Sequence, residues 1–220
     1  MKLLENIKHK IKTKSKICLA ADLNNLKDIF NLIEKVGHKI CILKIHYDII
    51  SDFFNDFNYT IKKLIEYKNK FGFLIWEDSK FADIGYVMER KINNHISKWA
   101  DLISVHPICG LKSISNIDNI GVILIGELSC DGHLIDNNYE KKVIEISEKC
   151  SNVVGIVCQH KMTHNLLNIT PGISLSNKND SLGQKYNSPK DKKFSDIYVI
   201  GRYIYNSDNP LERINEIILC

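Results

Sequence analysis

The sequence FLIWEDSKFADIG, Phe73–Gly85, contains four apolar residues that run directly into a cluster of charges. A short, continuous apolar run of this kind is typical of a parallel strand that is covered on both faces. Similar runs recur along the chain and alternate with segments of helical periodicity. The predicted strands are Ile17–Ala21, Cys41–Ile45, Phe73–Trp76, Leu102–Val105, Gly121–Ile125, Val153–Val157, Leu167–Thr170 and Ile197–Ile200. The predicted helices are Leu26–Val36, Phe54–Asn69, Met88–Trp99, Tyr139–Lys149 and Leu211–Leu219.

Eight such strands predict an α/β protein with a (β/α)₈ TIM-barrel fold, formed as a single compact domain over residues 1–220. These barrels usually need about 250 residues and rarely fewer than about 200, so we expect a lean example. Only Cys158–Leu166 separates the sixth run from the seventh, which is too short for a full helix. A doubly wound open sheet is the alternative architecture.

The composition, 44% hydrophobic and 25% charged, excludes a disordered or fibrous chain. The net charge of +4 is too small to indicate a nucleic-acid partner, and no apolar run approaches the roughly 20 residues of a membrane helix. The first residues, MKLLENIKHKIKTK, lack the apolar core of a signal peptide, and we expect Lys8–Lys16 to be a solvated leading segment. Seven cysteines without a C-x-x-C pair indicate reduced thiols, so we expect a cytoplasmic protein.

Polar residues stand at the ends of seven of the eight predicted strands, and a Pro-Gly pair follows the seventh strand. In chain order these residues are Asp22, Lys44 with His46, Glu77 with Asp78, Lys80 and Asp83, His106, Glu127 with Ser129, Gln159 with His160, Pro171 with Gly172, and Gly201 with Arg202. The carboxyl ends of the strands carry the active site in these barrels. One polar residue after a strand means little, but this recurrence around the whole barrel, including a lysine within ILKIH, favours a functional site.

The densest group of charges is EDSKFADIG, Glu77–Gly85. In an extended chain Asp78 and Lys80 point to the same side. With Lys44 and Asp83 they can form a network in which two lysines and two aspartates alternate, so that each charge has an opposite neighbour. A purely structural ion-pair network is the alternative, because DxKxxD occurs in more than one barrel chemistry. Gly201 and Arg202, between the last strand and a helical segment, indicate a phosphate site.

Seven motifs, in this order, resemble orotidine 5′-phosphate decarboxylase, most closely its eukaryotic-type branch. They are CLAADL (Cys18–Leu23), LKIHYDI (Leu43–Ile49), EDSKFADIG, ELSCDGHL (Glu127–Leu134), TPGISL (Thr170–Leu175), LGQKY (Leu182–Tyr186) and IGRYIY (Ile200–Tyr205). The resemblance implies a homodimeric barrel that converts orotidine 5′-monophosphate to UMP and CO₂ without any cofactor or metal. That reaction is the last step of de novo pyrimidine synthesis.

The resemblance also implies a role for each matching residue. Lys44, Asp78 and Lys80 form a charged tetrad with Asp83, which reaches into the partner subunit's site. Lys80 protonates C6 of the pyrimidine and Asp78 adjoins the substrate carboxylate, while His46 has a structural role. The implied substrate-binding residues are Asp22 on the ribose, Ser129 on the pyrimidine edge, Pro171, and the phosphate-binding Gln184, Tyr186, Gly201 and Arg202. The loop 172–186 resembles a lid.

The chain departs from the family where it reads Tyr86-Val87, since the family commonly has Asn-Thr at these positions and the threonine helps to hold the ribose across the dimer. Two other functions remain open. One is the metal-dependent decarboxylation of a keto-sugar phosphate, against which Ser129 and the LGQKY motif argue. The other is a nucleotide-binding barrel without turnover, against which the complete tetrad argues.

Overall fold

The computed structural model describes residues 2–176 and 183–220, and at its centre eight parallel strands close into a barrel in sequential order. The strands are β1 Ile17–Ala20, β2 Ile42–Ile45, β3 Leu74–Phe81, β4 Leu102–Val105, β5 Gly121–Ile125, β6 Val153–Val157, β7 Leu167–Pro171 and β8 Ile197–Ile200. The barrel closes where Cys18 of β1 pairs with Val199 of β8. The predicted (β/α)₈ barrel is therefore confirmed, and the open sheet is wrong.

The helices surround the strands. They are α1 Lys2–Thr13, α2 Leu26–Val36, α3 Phe57–Phe71, α4 Gly85–Asn94, α5 Lys112–Ser115, α6 Asn137–Lys149, α7 Arg202–Tyr205 and α8 Pro210–Ile218, with single 3₁₀ turns at Tyr47–Ile49, Ile96–Lys98, Pro107–Cys109 and Pro189–Lys192. Side-chain oxygens of Asn25, Asp56 and Asp136 accept backbone N–H groups of the first turns, which fixes where α2, α3 and α6 begin. No helix lies between β6 and β7, as the short connection predicts.

The core has two layers because side chains alternate along each strand. On β1, Cys18 and Ala20 belong to the inner layer, whereas Leu19 packs in the outer layer with the helices. The same alternation turns Lys44 of β2 and Asp78 of β3 toward the inside of the barrel at its carboxyl end, where both are buried. The barrel thus positions two opposite charges against each other.

The helix α1 corrects the expectation of a solvated leading segment. Ile7 is fully buried against the inner layer, and Leu3, Leu4 and Ile11 pack beside it. These four residues have the spacing of one helix face, which the surrounding lysines obscure in the sequence. Lys10 Nζ also donates to the carbonyl of Gly72 at 2.6 Å, beyond the end of α3. The segment therefore covers the amino end of the barrel.

Within residues 2–176 and 183–220, no helix is long and apolar enough to cross a membrane.

Candidate active site

A cavity of about 220 Å³ opens at the carboxyl ends of the strands. Every predicted site residue except Asp83 borders it: Asp22, Lys44, Asp78, Lys80, Ser129, Pro171, Gln184, Tyr186, Gly201 and Arg202. These residues are far apart in the sequence and meet only because the strands run parallel.

A bulge near the end of β3 shapes one wall of the cavity. Glu77 pairs with Ile103 and Phe81 pairs with Val105, so a step of four residues on β3 faces a step of two on β4. Lys80 within the bulge has φ +50°, which is uncommon for a residue other than glycine. Glu77 Oε1 accepts the N–H of Ser79 at 3.0 Å and also its hydroxyl. The bulge, and not regular alternation, brings Lys80 back to Asp78.

The charges on this wall alternate in sign. Lys44 Nζ donates to Asp22 Oδ1 at 3.2 Å and to Asp78 Oδ2 at 2.8 Å. Lys80 Nζ donates to the same Asp78 oxygen at 3.0 Å. The order Asp22–Lys44–Asp78–Lys80 therefore gives each charge an opposite neighbour, with Asp22 in the place for which the sequence suggested Asp83.

The network keeps its two buried members charged. Burial alone would raise the pKa of Asp78. The charge of Lys44, a hydrogen bond from His46 and the charge of Lys80 together hold this pKa well below its usual range. Burial would lower the pKa of Lys44, but Asp78 and Asp22 raise it above its ordinary value. His46 Nε2 lies 3.0 Å from Lys44 Nζ and 3.2 Å from Asp78 Oδ2, so its ring is part of this network.

The second oxygen of Asp78 has a partner that the sequence analysis missed. The hydroxyl of Ser104, on β4, donates to Asp78 Oδ1. Trp76 Nε1 in turn donates to Ser104 Oγ at 2.8 Å. In the sequence, the one feature that could have indicated this contact is that Ser104 is the single polar residue of the apolar run LISV.

Asp83 lies outside the cavity, on the turn before α4. Its Oδ1 accepts the N–H of Ile84 and its Oδ2 lies 3.1 Å from Lys91 Nζ. The hydrogen bond from Lys91, followed by that from Ile84, holds the pKa of Asp83 below its usual value. Within one chain, Asp83 does not meet Lys44 or Asp78.

Ser129 and Gln184 lie against each other at one side of the cavity. Ser129 Oγ donates to Gln184 Oε1 at 3.3 Å, and Gln184 Nε2 donates to the carbonyl of Ser129 at 3.2 Å. Gly172, with φ +76°, leaves room for the Gln184 amide, because a Cβ at this position would lie 2.5 Å from Gln184 Nε2. Of the predicted lid, residues 177–182, which include Leu182 of the LGQKY motif, lie outside the described residues.

The side of the cavity at β8 carries a cation beside an aromatic ring. Arg202 Cζ lies 5.8 Å from the centre of the Tyr186 ring. Gly201 precedes it, and a Cβ at Gly201 would lie 3.2 Å from the carbonyl of Ala20. A guanidinium at the edge of a cavity, with its fork of N–H donors, is suited to bind a phosphate.

Other polar residues after the strands form structural contacts outside the cavity. The ring of His160 bridges two carboxylates, with Nδ1 3.0 Å from Glu127 and Nε2 3.3 Å from Glu140. Gln159 donates to the carbonyl of Pro171 at 3.2 Å. Position after a strand therefore identifies most of the site, but not all such residues belong to it.

Comparison with known proteins decides the family. Residues 15–217 match the model of the orotidine 5′-phosphate decarboxylase / HUMPS family. The chain belongs to this family. It is 34% identical over 216 residues to uridine 5′-monophosphate synthase of Bos taurus, a match that covers 91% of this chain and 44% of the bovine protein. It is 33% identical over 222 residues to orotidine 5′-phosphate decarboxylase of Saccharomyces cerevisiae, covering 92% of this chain and 82% of the yeast protein.

The chain thus spans less than half of the bovine relative and most of the yeast one. The decarboxylase of Pachysolen tannophilus is similar to the same degree, at 33% identity over 88% of this chain and 79% of its own length. The family resemblance predicted from the motifs is confirmed, and with it the prediction of a carboxy-lyase.

Proposed function

We propose that the protein decarboxylates orotidine 5′-monophosphate to UMP and CO₂, as the last step of de novo pyrimidine synthesis and without a cofactor. The observation that carries the proposal is the alternating row Asp22–Lys44–Asp78–Lys80 on one cavity wall. The same cavity is bordered by a serine–amide pair suited to a pyrimidine edge and by an arginine suited to a phosphate. The family and its relatives support the same reaction.

Lys80 supplies the charge and the proton. Loss of CO₂ leaves negative charge at C6 of the pyrimidine, with no neighbouring group that can accept it. An ammonium group beside C6 stabilises this developing negative charge, and it therefore stabilises the transition state more than the bound substrate. The activation free energy of decarboxylation is lowered as a result. The same group then donates a proton to C6. Lys80 is about one-third exposed and borders the cavity, so substrate can reach it.

Asp78 adjoins the substrate carboxylate. It is buried and held in its charged form by Lys44 and Lys80. Two carboxylates in proximity repel each other, and the repulsion is relieved as CO₂ departs. Lys44 fixes Asp78 and shares its ammonium group with Asp22, which leaves the other Asp22 oxygen for a ribose hydroxyl.

A second copy of the chain completes the tetrad. Asp83 lies on an exposed turn outside its own cavity, which suits a residue that serves a partner's site. In the proposed homodimer it approaches the partner's Lys44 and a ribose hydroxyl. The apolar residues Ile84, Tyr86 and Ile108 are exposed near this turn, as a contact face requires.

The remaining residues bind the ends of the nucleotide. Ser129 and Gln184 contact the base, and Gln184 also reaches the phosphate with Tyr186, Gly201 and Arg202. Pro171 borders the ring. The phosphate is remote from C6, so its binding energy serves to exclude water from the charges rather than to act on the reacting carbon.

The experiment is a direct assay of orotidine 5′-monophosphate consumption by the purified protein, with and without EDTA. Consumption that is unchanged by EDTA supports the proposal. Activity lost with EDTA and restored by a divalent metal, on a keto-sugar phosphate, would favour the alternative metal-dependent reaction. Binding of UMP with no release of CO₂ would favour a nucleotide-binding protein without turnover.

A further inference from the structure

Asp78 is held from inside the barrel as well as from the cavity. Its Oδ2 accepts both lysines, at 2.8 Å from Lys44 Nζ and 3.0 Å from Lys80 Nζ, whereas its Oδ1 accepts the hydroxyl of Ser104. The serine is fully buried, does not border the cavity and takes a hydrogen bond from Trp76. We propose that Trp76 and Ser104 form a relay that positions Asp78 for catalysis, an inference that rests on the proposed function.

The chemistry of the three groups fixes the direction of the relay. The indole Nε1–H can only donate, and an ionised carboxylate can only accept. The single hydroxyl proton of Ser104 must therefore point at Asp78 Oδ1 while its oxygen accepts from Trp76. Trp76 is 1% exposed and Ser104 0%, so bulk water does not compete for either bond.

This arrangement separates the two oxygens of Asp78 by role. Oδ1 is anchored by the barrel wall, and Oδ2 faces the ammonium groups. A carboxylate that is anchored on one side cannot rotate its charge away from Lys80 when substrate enters, and fixed charges are what electrostatic catalysis requires. Ser104 and Trp76 are positioning residues, since they act on the reaction through Asp78.

Several titratable groups face Asp78, and the relay is distinct from all of them. Lys44 and His46 approach from β2 and the residue after it, Lys80 from the same strand, His106 from the end of β4 and Cys18 from β1, with Asp22 behind Lys44. Substitution of Ser104 removes a neutral donor and leaves every one of these charges in place. A change in the function or the carboxyl resonance of Asp78 then reports on Ser104.

Ser104→Ala tests the relay by separating kcat from binding. We expect kcat to fall about tenfold while the Kd for UMP stays within about twofold of the wild type, because Asp78 loses its anchor and every charge of the cavity remains. The control is Ser147→Ala, which removes a buried hydroxyl that donates to the carbonyl of Ile144 on α6. The control should leave both kcat and the Kd for UMP as they are in the wild type.

Trp76→Phe tests the first step of the relay, because it keeps an aromatic ring and removes the indole N–H. We expect a smaller fall in kcat, again with little change in the Kd for UMP. Trp99→Phe, at the other tryptophan of the chain, is the control, since Trp99 is buried in the outer layer. In the double variant with Ser104→Ala, the loss of Trp76 should add nothing, because Trp76 acts through Ser104.

A measurement without turnover separates this inference from the proposed function. In protein labelled with ¹³C-aspartate and assigned with Asp78→Asn, the carboxyl resonance of Asp78 at neutral pH should shift in Ser104→Ala, and also in Trp76→Phe should Ser104→Ala fail to fold, whereas Ser147→Ala should leave it in place. If the wild-type protein does not consume orotidine 5′-monophosphate, the proposed function fails while this resonance still decides the relay. An unchanged resonance of Asp78 in the folded variants, or additive effects in the double variant, would overturn the relay.

Discussion

Asp83 Oδ2 lies 3.1 Å from Lys91 Nζ of its own chain, and Asp83 does not border the cavity that its motif partners Asp78 and Lys80 form. The motif DxKxxD is continuous in sequence, yet the structure divides it between a cavity wall and an exposed turn. If Asp83 serves a partner's site, its carboxylate accepts from that site in addition to, or in place of, Lys91. Whether Asp83 acts in its own chain or in a partner's site is therefore a question for experiments on the dimer.

Mixed dimers test the role of Asp83. Lys80→Ala and Asp83→Ala should each be nearly inactive, but a dimer with one chain of each has one site with both defects and one with neither. Random exchange makes about half of the dimers mixed, so roughly a quarter of wild-type activity should return. Activity is measured after exchange, with mixed dimers verified by pull-down of a tag carried on one variant. Mixed dimers without activity would mean that Asp83 acts within its own chain.

Arg202→Ala should weaken the binding of UMP, because a charge-assisted contact to the phosphate is lost. The expected cost is about 2–3 kcal/mol in binding free energy, measured by calorimetry. Uridine, which lacks the phosphate, should bind both proteins equally. Arg213→Ala is the matched control, since Arg213 pairs with Glu216 on α8. Equal affinity of wild type and Arg202→Ala for UMP would show that the guanidinium does not bind the phosphate.

Glu77 makes stability depend on pH. Burial raises its pKa to about 7 from an ordinary value of 4.5, against the opposing hydrogen bonds from Ser79. Between pH 4.5 and about 7 the folded protein binds more protons at Glu77 than the unfolded chain does. The contribution of Glu77 to stability is therefore complete below pH 4.5 and is lost as the pH rises through about 7.

Glu77→Gln keeps an acceptor for Ser79 and cannot titrate. The free energy of unfolding of the variant minus that of the wild type should therefore increase by about 1–3 kcal/mol from the low-pH end to the high-pH end of this range. Urea unfolding at several pH values measures the difference, and Glu66→Gln on the exposed face of α3 serves as control. A difference that is constant with pH would contradict the raised pKa.

The sequence predicts the barrel and most of the cavity for a physical reason. Buried parallel strands must be apolar, and their ends must lie on one rim, so position after a strand is enough to bring Lys44, Asp78 and Arg202 together. Position after a strand does not predict which aspartate contacts Lys44 within one chain. Asp22 and Asp83 both follow the pattern, and only the bulge in β3 and the turn before α4 decide which one meets Lys44 within a chain.

The sequence pattern also does not predict the hydrogen bonds that link Trp76, Ser104 and Asp78, or the packing of α1 against the barrel. Ser104 and Trp76 look like ordinary residues of apolar strands until the register brings them to Asp78. The apolar stripe of α1 is interrupted by lysines, whose long side chains reach the carbonyls after α3 and do not need solvent exposure to be satisfied.

In the proposed mechanism Lys80 supplies both the charge and the proton for decarboxylation. Lys80→Ala, measured for orotidine 5′-monophosphate consumption in the presence of EDTA and for UMP binding by calorimetry, tests this role. Lys63→Ala, on the exposed face of α3, is the control. We expect Lys80→Ala to fold and bind UMP but to release no measurable CO₂. Activity of the folded variant within about tenfold of the wild type would contradict it, because a lost charge and proton donor at C6 should cost far more.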